Sequence, residues 1–141
     1  ADDRLTSSAQ LKPGKHMTHR HASKIRAAMV RIVPSNPQTN ERVLRLSANA
    51  KLIRNPCGTV RLRLHETDVA MMNGDGDVSV QHGGWVTPTT RTWIASAIEA
   101  FTSRPCGASI AKGDFTVWFG AFDKSKQTEI GKEWTPLEVL S

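Results

Sequence analysis

The spacing of apolar residues changes character along the chain, and each change predicts a different element. Between Ala22 and Val33, Ile25, Ala28, Met29 and Ile32 recur at helical intervals while Lys24, Arg26 and Arg31 fall elsewhere. This predicts a short amphipathic helix with a basic outer face. Pro34 and Pro37 end it, because a proline lacks an amide donor and restricts the residue before it. From Arg42 the period drops to two: Val43-Leu44-Arg45-Leu46, Ala50-Lys51-Leu52-Ile53 and Val60-Arg61-Leu62-Arg63-Leu64 read as strands. In the last of these the leucines share one face and the arginines the other, so the sheet is expected to be oily on one side and basic on the other. Two further strands, Val69 to Met72 and Val78-Ser79-Val80, flank Asn73-Gly74-Asp75-Gly76, whose residues tolerate the positive φ of tight hairpins.

The strongest local signal lies at residues 87–101. Thr87 is a candidate N-cap with Pro88 at the first helical position, after which Trp93, Ile94, Ala97, Ile98 and Phe101 form an apolar helix face. Asp114 to Phe119 reads as a strand paired through Lys112-Gly113 with Ala108 to Ala111, and the tail from Thr128 to Val139 as irregular or edge strand. Residues 1–20 are polar, with Pro13-Gly14 and no apolar period, and read as a flexible basic arm. The expected architecture is a single α+β domain over residues 21–141: an antiparallel sheet of about five or six strands with two helices and a C-terminal hairpin.

Charge adds a direction to this picture. The 141 residues carry 19 Lys and Arg against 13 Asp and Glu, a formal charge of +6, which favours anionic partners such as nucleotides or nucleic acid. No apolar run approaches the roughly 20 residues that cross a bilayer, and no signal-peptide core is present, so no membrane association is expected. Cys57 and Cys106, each between Pro and Gly, read as free thiols at element boundaries.

Candidate reactive clusters are weak. His16, His19 and His21 offer imidazoles for zinc, but a closed site needs four ligands and neither cysteine has a Cys-x-x-Cys partner; a solvated arm is the simpler reading. Asp75 and Asp77, with Asp68 upstream, lack the length and closing glutamate of a calcium loop. Cys57 or Cys106 with His65 or His82 lacks any nucleophile signature, and His65 and His82 read as partly buried histidines on or next to strands. No catalytic residue, metal site or cofactor is assigned.

The segment Gly83 to Arg91 carries more. Gly83 and Gly84 let a ligand approach the main chain, Thr87, Thr89 and Thr90 offer hydroxyls at a helix start, and Arg91 adds a forked cation. A purely structural reading is equally concrete: a glycine turn, Thr87 as cap, Trp85 as core filler. Arg61 and Arg63, with Arg54, Arg26 and Arg31, could line one positive face beside it. The candidate ligand-binding set is thus Gly83, Gly84, Trp85, Thr87, Thr89, Thr90, Arg91, Arg61 and Arg63, with Trp85 placed to stack a base.

Thr67-Asp68-Val69, then Asp75-Gly76, then Gly83-Gly84-Trp85-Val86-Thr87-Pro88-Thr89-Thr90-Arg91 resemble a family of small bacteriophage proteins. There a Thr-Asp-Ile/Val strand, an Asp-Gly turn and a Gly-Trp-x-Thr-x-Thr-Thr-Lys/Arg segment recur in this order. The chain also looks like the Thoeris anti-defence sponges, phage proteins that sequester cyclic ADP-ribose-type signals without cleaving them. That family pairs an antiparallel sheet with helices and assembles into dimers or larger oligomers. The chain departs from it at Trp93-Ile94-Ala95, where Arg-Ile-Asn is usual, and at the Met before the Asp-Gly turn, where an aromatic is usual. The resemblance implies a non-enzymatic homo-oligomeric phage protein in the host cytoplasm that sequesters a phosphorylated nucleotide such as a cyclic ADP-ribose isomer. The alternative is a virion structural or nucleic-acid-binding protein whose basic arm contacts phosphates.

Overall fold

A computed structural model of the chain describes residues 19–32, 41–119 and 127–137. The elements run α1 (Ala22–Arg31), β1 (Arg42–Arg45), β2 (Ala50–Arg54), β3 (Val60–Leu64), β4 (Thr67–Met72), β5 (Val78–Val80), α2 (Pro88–Thr102), β6 (Cys106–Ala111), β7 (Asp114–Phe119), β8 (Thr128–Ile130) and β9 (Thr135–Leu137). The expected α+β class and antiparallel pairing are present, divided between two sheets of order β1-β2-β3-β4-β5-β9 and β6-β7-β8.

The first five strands form a meander, so successive connections alternate between its two ends. Leu52, Leu62, Ala70 and Val80 face one another across β2 to β5 and are fully buried. This row, with Ala50, Val60, Leu64, Val69, Val78 and Leu137, is the sheet's contribution to the core. The period of two slips once, where the β3–β4 register shifts between Leu62 and Arg63. Such a bulge adds a residue to one strand and re-aims its side chains; here it buries both Val69 and Ala70 while Asp68 stays opposite Arg63.

Helix α2 begins as its sequence dictates: Thr87 Oγ1 accepts from the Thr90 amide at 3.2 Å, and Pro88 needs no acceptor. Its C-cap, Ser103, adopts a left-handed φ of 58°. The helix is buried continuously from Trp93 to Phe101 because it touches β4 and β5, α1 and β6 on different sides. A helix enclosed this way can be apolar all round, and Ala95, Ala97 and Ala100 keep its neighbours close.

Helix α1 has no side-chain cap of its own; α2 supplies acceptors instead. The His19 amide donates to Glu99 Oε1 at 2.9 Å and the His21 amide to Ser96 Oγ at 3.1 Å. The His21 ring stacks on Trp93 with centroids 3.8 Å apart, and Arg26 donates to Ala100 O and Ser103 Oγ. His19 Nε2 also donates to Cys106 O at 2.6 Å. His19 and His21, expected in a solvated arm, are instead packed against the central helix, and His16 lies outside the described residues.

In the second sheet, Trp118 lies across from Gly107, and a Cβ at Gly107 would fall 2.5 Å from the indole. Glycine is required there so the ring can lie flat on the neighbouring strand. The two cysteines are free, Cys57 exposed in the β2–β3 turn and Cys106 at the start of β6. The Asn73–Asp77 segment is a hairpin turn, with Asn73 Oδ1 accepting from the amides of Asp75 and Asp77 at 2.9 and 3.0 Å.

Candidate functional site

Three connections meet at one end of the meander: the β1–β2 loop, the β3–β4 turn and the segment from β5 into α2. Between them lies a cavity of about 100 Å³. Its polar walls are Ser47, Asn49, His65, Thr87 and Thr89; Leu64, Val69 and Trp93 supply apolar surface, and Trp85 stands at its side.

Local backbone geometry builds the mouth. His65 makes the β3–β4 turn with φ 55°, and its amide donates to Asn49 O at 2.8 Å, tying two loops together. Gly83 and Gly84 take φ of 62° and 96°. His82 organises this glycine turn: its Nδ1 accepts from the Gly84 amide at 2.9 Å and its carbonyl from the Trp85 amide at 2.8 Å. An imidazole nitrogen that accepts is unprotonated, and burial, reinforced by Lys132, holds the His82 pKa below its ordinary value. The turn thrusts Trp85 outward, half exposed, with its ring 5.9 Å from that of His65.

Gly83, Gly84, Trp85, Thr87, Thr89 and Thr90 are thus gathered at one place, and Trp85 is not core filler. Their amides are less open than the sequence suggests: those of Gly84 and Trp85 serve His82, and that of Thr90 serves the cap. The Thr87 carbonyl accepts the Arg91 amide at 3.0 Å. Thr89 keeps the one first-turn amide with no partner among the described residues.

The arginines lie elsewhere. Thr89, Thr90 and Trp93 mark the sector of α2 that faces the cavity, and at 3.6 residues per turn Arg91 falls on the far side. Arg61 and Arg63 point to the opposite face of the sheet from Leu62 and Leu64. Both are held by Asp68: Arg61 Nη1 and Arg63 Nε each donate to its carboxylate at 2.7 Å. Arg61 Nη2 also donates to Glu41 at 2.7 Å and Asn55 at 3.0 Å, while its Nε is buried without a partner. Burial alone would raise the Asp68 pKa, but the hydrogen bonds from Arg63 and Arg61 outweigh it and hold the carboxyl below the usual range. Arg26 lies with the helices, so the arginines of α1 and the sheet do not form one surface.

Among the described residues lining the cavity none carries a fixed charge. The arrangement offers an aromatic face, a second ring, hydroxyls and an amide side chain, which suits an uncharged planar ring with polar edges. Sequence reasoning missed Ser47 and Asn49, because no local pattern shows that these loops converge on Trp85; His65, expected partly buried on or next to a strand, directly follows β3 and is exposed. A second, open depression of about 710 Å³ lies on the three-stranded sheet, where Ser109 and Thr116 hydroxyls bond each other at 3.1 Å beside Lys112 and Glu129; it has no aromatic side chain in its walls. No group of His, Cys, Asp and Glu that could hold a metal occurs among the described residues, and no helix among them is long and apolar enough to cross a membrane.

No curated protein and no solved structure matches the chain at a significant level. A family model described as Kyanoviridae Gp96 protein matches residues 22–135, which reaches from the first residue of α1 into β9 and takes in every residue of the cleft. The chain therefore belongs to the Kyanoviridae Gp96 protein family, a family of phage proteins.

Proposed function

We propose that this phage protein is a non-enzymatic binding module, and that the cleft beside Trp85 holds the base of a phosphorylated nucleotide signal such as a cyclic ADP-ribose isomer. The observation that carries this reading is the position of Trp85: a large aromatic, half exposed, at the mouth of a cavity walled by neutral hydrogen-bonding groups. A nucleobase is planar, uncharged and polar at its edges, and it stacks on an indole with sequence-tolerant affinity.

Size limits what enters. Sites that enclose a drug-sized ligand span roughly 300–1,000 Å³, so a cavity of about 100 Å³ takes one ring and leaves ribose and phosphates at the rim. There the Thr89 amide and hydroxyl and the protein's positive field receive them. Full sequestration then calls for a second copy of the chain to cover the exposed part of the ligand. His65 is the one titratable side chain among the described cavity residues, and turnover would need a second positioned group.

The test is to incubate the purified protein with cyclic ADP-ribose isomers, separate bound from free, and analyse both fractions. Intact ligand retained by the protein and released by Trp85→Ala supports the proposal. Ligand recovered wholly unbound overturns it, and cleaved ligand replaces it with an enzyme.

A further inference from the structure

On the outer face of the six-stranded sheet, Arg45, Lys51 and Arg63 stand directly opposite one another on β1, β2 and β3. Adjacent strands are about 4.8 Å apart, and like charges at facing positions repel. One acid closes the row, Asp68 facing Arg63, and it is shared with Arg61. The Arg45 guanidinium turns back onto the carbonyls of Ser47 and Ala48 at 3.1 and 3.3 Å. Lys51 is exposed. Neither meets an acidic side chain among the described residues.

This row lies at the loop end of the strands, beside the cleft. Ser47 and Asn49, which wall the cavity, sit in the loop joining Arg45 to Lys51. A chain of phosphates that followed the cations would pass over this loop and bring a base to Trp85 and His65. In a duplex the bases are stacked on one another and cannot reach them; in a single strand they can.

We infer that this face binds single-stranded nucleic acid, its phosphates along Arg45, Lys51 and Arg63 and a base in the Trp85 cleft. The base contact rests on the proposed role of the Trp85 cleft, whereas the phosphate track rests on the strand register alone. Lys51→Glu separates binding from folding, because it replaces two cross-strand repulsions with two attractions. The variant folds with equal or greater stability yet loses the centre of the track.

The experiment is a fluorescence-anisotropy titration of labelled oligothymidylate, single-stranded and as a duplex with oligoadenylate, against wild type, Lys51→Glu and Trp85→Ala. A parallel titration uses AMP, observed through the Trp85 indole resonance. The expected result is preference for the single strand, affinity falling steeply between about 50 and 200 mM salt, and a tenfold or greater loss in Lys51→Glu. Trp85→Ala weakens single-strand binding and leaves the salt dependence intact. Absence of binding at low salt, or Lys51→Glu binding like wild type, overturns the phosphate track even if AMP shifts Trp85. Equal binding of duplex and single strand overturns the single-strand assignment, binding that needs Lys51 but ignores Trp85→Ala overturns the base contact, and the AMP titration decides the cleft separately.

Discussion

Thr67 leaves no room for a side chain at Gly83: a Cβ built there falls 2.5 Å from Thr67 Cγ2. The start of β4 is therefore in contact with the turn that presents Trp85. Gly83 also has a left-handed φ of 62°, a conformation that costs an L-residue about 1–2 kcal/mol. Gly83→Ala is expected to destabilise the fold by about 2–4 kcal/mol. In a Thr67→Ser background the methyl is gone, and the substitution should cost only the backbone share. Urea denaturation of the four proteins measures this coupling; additive effects would mean the contact carries no energy.

Asp68 neutralises part of an otherwise repelling arginine surface. Removing it leaves Arg63 opposite Lys51 without an acidic partner and Arg61 with Glu41 as its one carboxylate among the described residues, so Asp68→Ala is expected to cost about 2–4 kcal/mol at neutral pH. The pH dependence has a definite sign. Because the folded Asp68 pKa lies below its ordinary value of 3.8, its contribution is complete above that value and is lost as pH falls through the folded pKa. Denaturation between about pH 5 and pH 2 should show this limb in wild type and a shallower one in Asp68→Asn.

His82 acts at milder pH. Its folded pKa lies below the ordinary 6.5, chiefly through burial, so the unfolded chain takes up a proton before the folded one does. Stability is full above pH 6.5 and declines as pH falls below it; His21, lowered by burial and by Arg20 and Lys24, adds in the same direction. Asn at position 82 keeps an acceptor for the Gly84 amide but cannot titrate. His82→Asn should therefore flatten the loss of stability between about pH 7 and pH 5, and an unchanged slope would assign that loss to another group.

The two thiols should differ sharply in reactivity. Cys57 is exposed and its pKa is lowered by hydrogen bonding to Thr59, whereas burial, with Glu99 nearby, pushes Cys106 up to about 12. Thiolate is the reactive form. Iodoacetamide at neutral pH is expected to label Cys57 in the native protein and Cys106 only after denaturation, as peptide mapping would reveal.

Where the chain's pattern is local, it is legible. Leu62 and Leu64 against Arg61 and Arg63 mark the two faces of β3, and Thr87-Pro88 marks the first turn of α2 to the residue. Pairing over distance leaves no such trace. Nothing in Thr135-Pro136-Leu137 indicates that it returns to β5, whereas β8 joins a separate sheet. The arginine face can be foreseen from alternation, but its occupancy cannot, because Asp68 reaches Arg63 only through the bulge that follows it. Trp85 reads equally well as core filler, since composition does not distinguish a ring turned outward by two left-handed glycines from one turned in.

Whether Trp85 and His65 receive a ligand ring is measured most directly by an NMR titration of the isotope-labelled protein with a cyclic ADP-ribose isomer. Saturable shifts should appear at the Trp85 indole N–H and the backbone amides of Asn49, His65 and Thr89, with the Trp118 indole unmoved. Shifts confined to the surface arginines, or none at millimolar ligand, would contradict a ring held in this cleft.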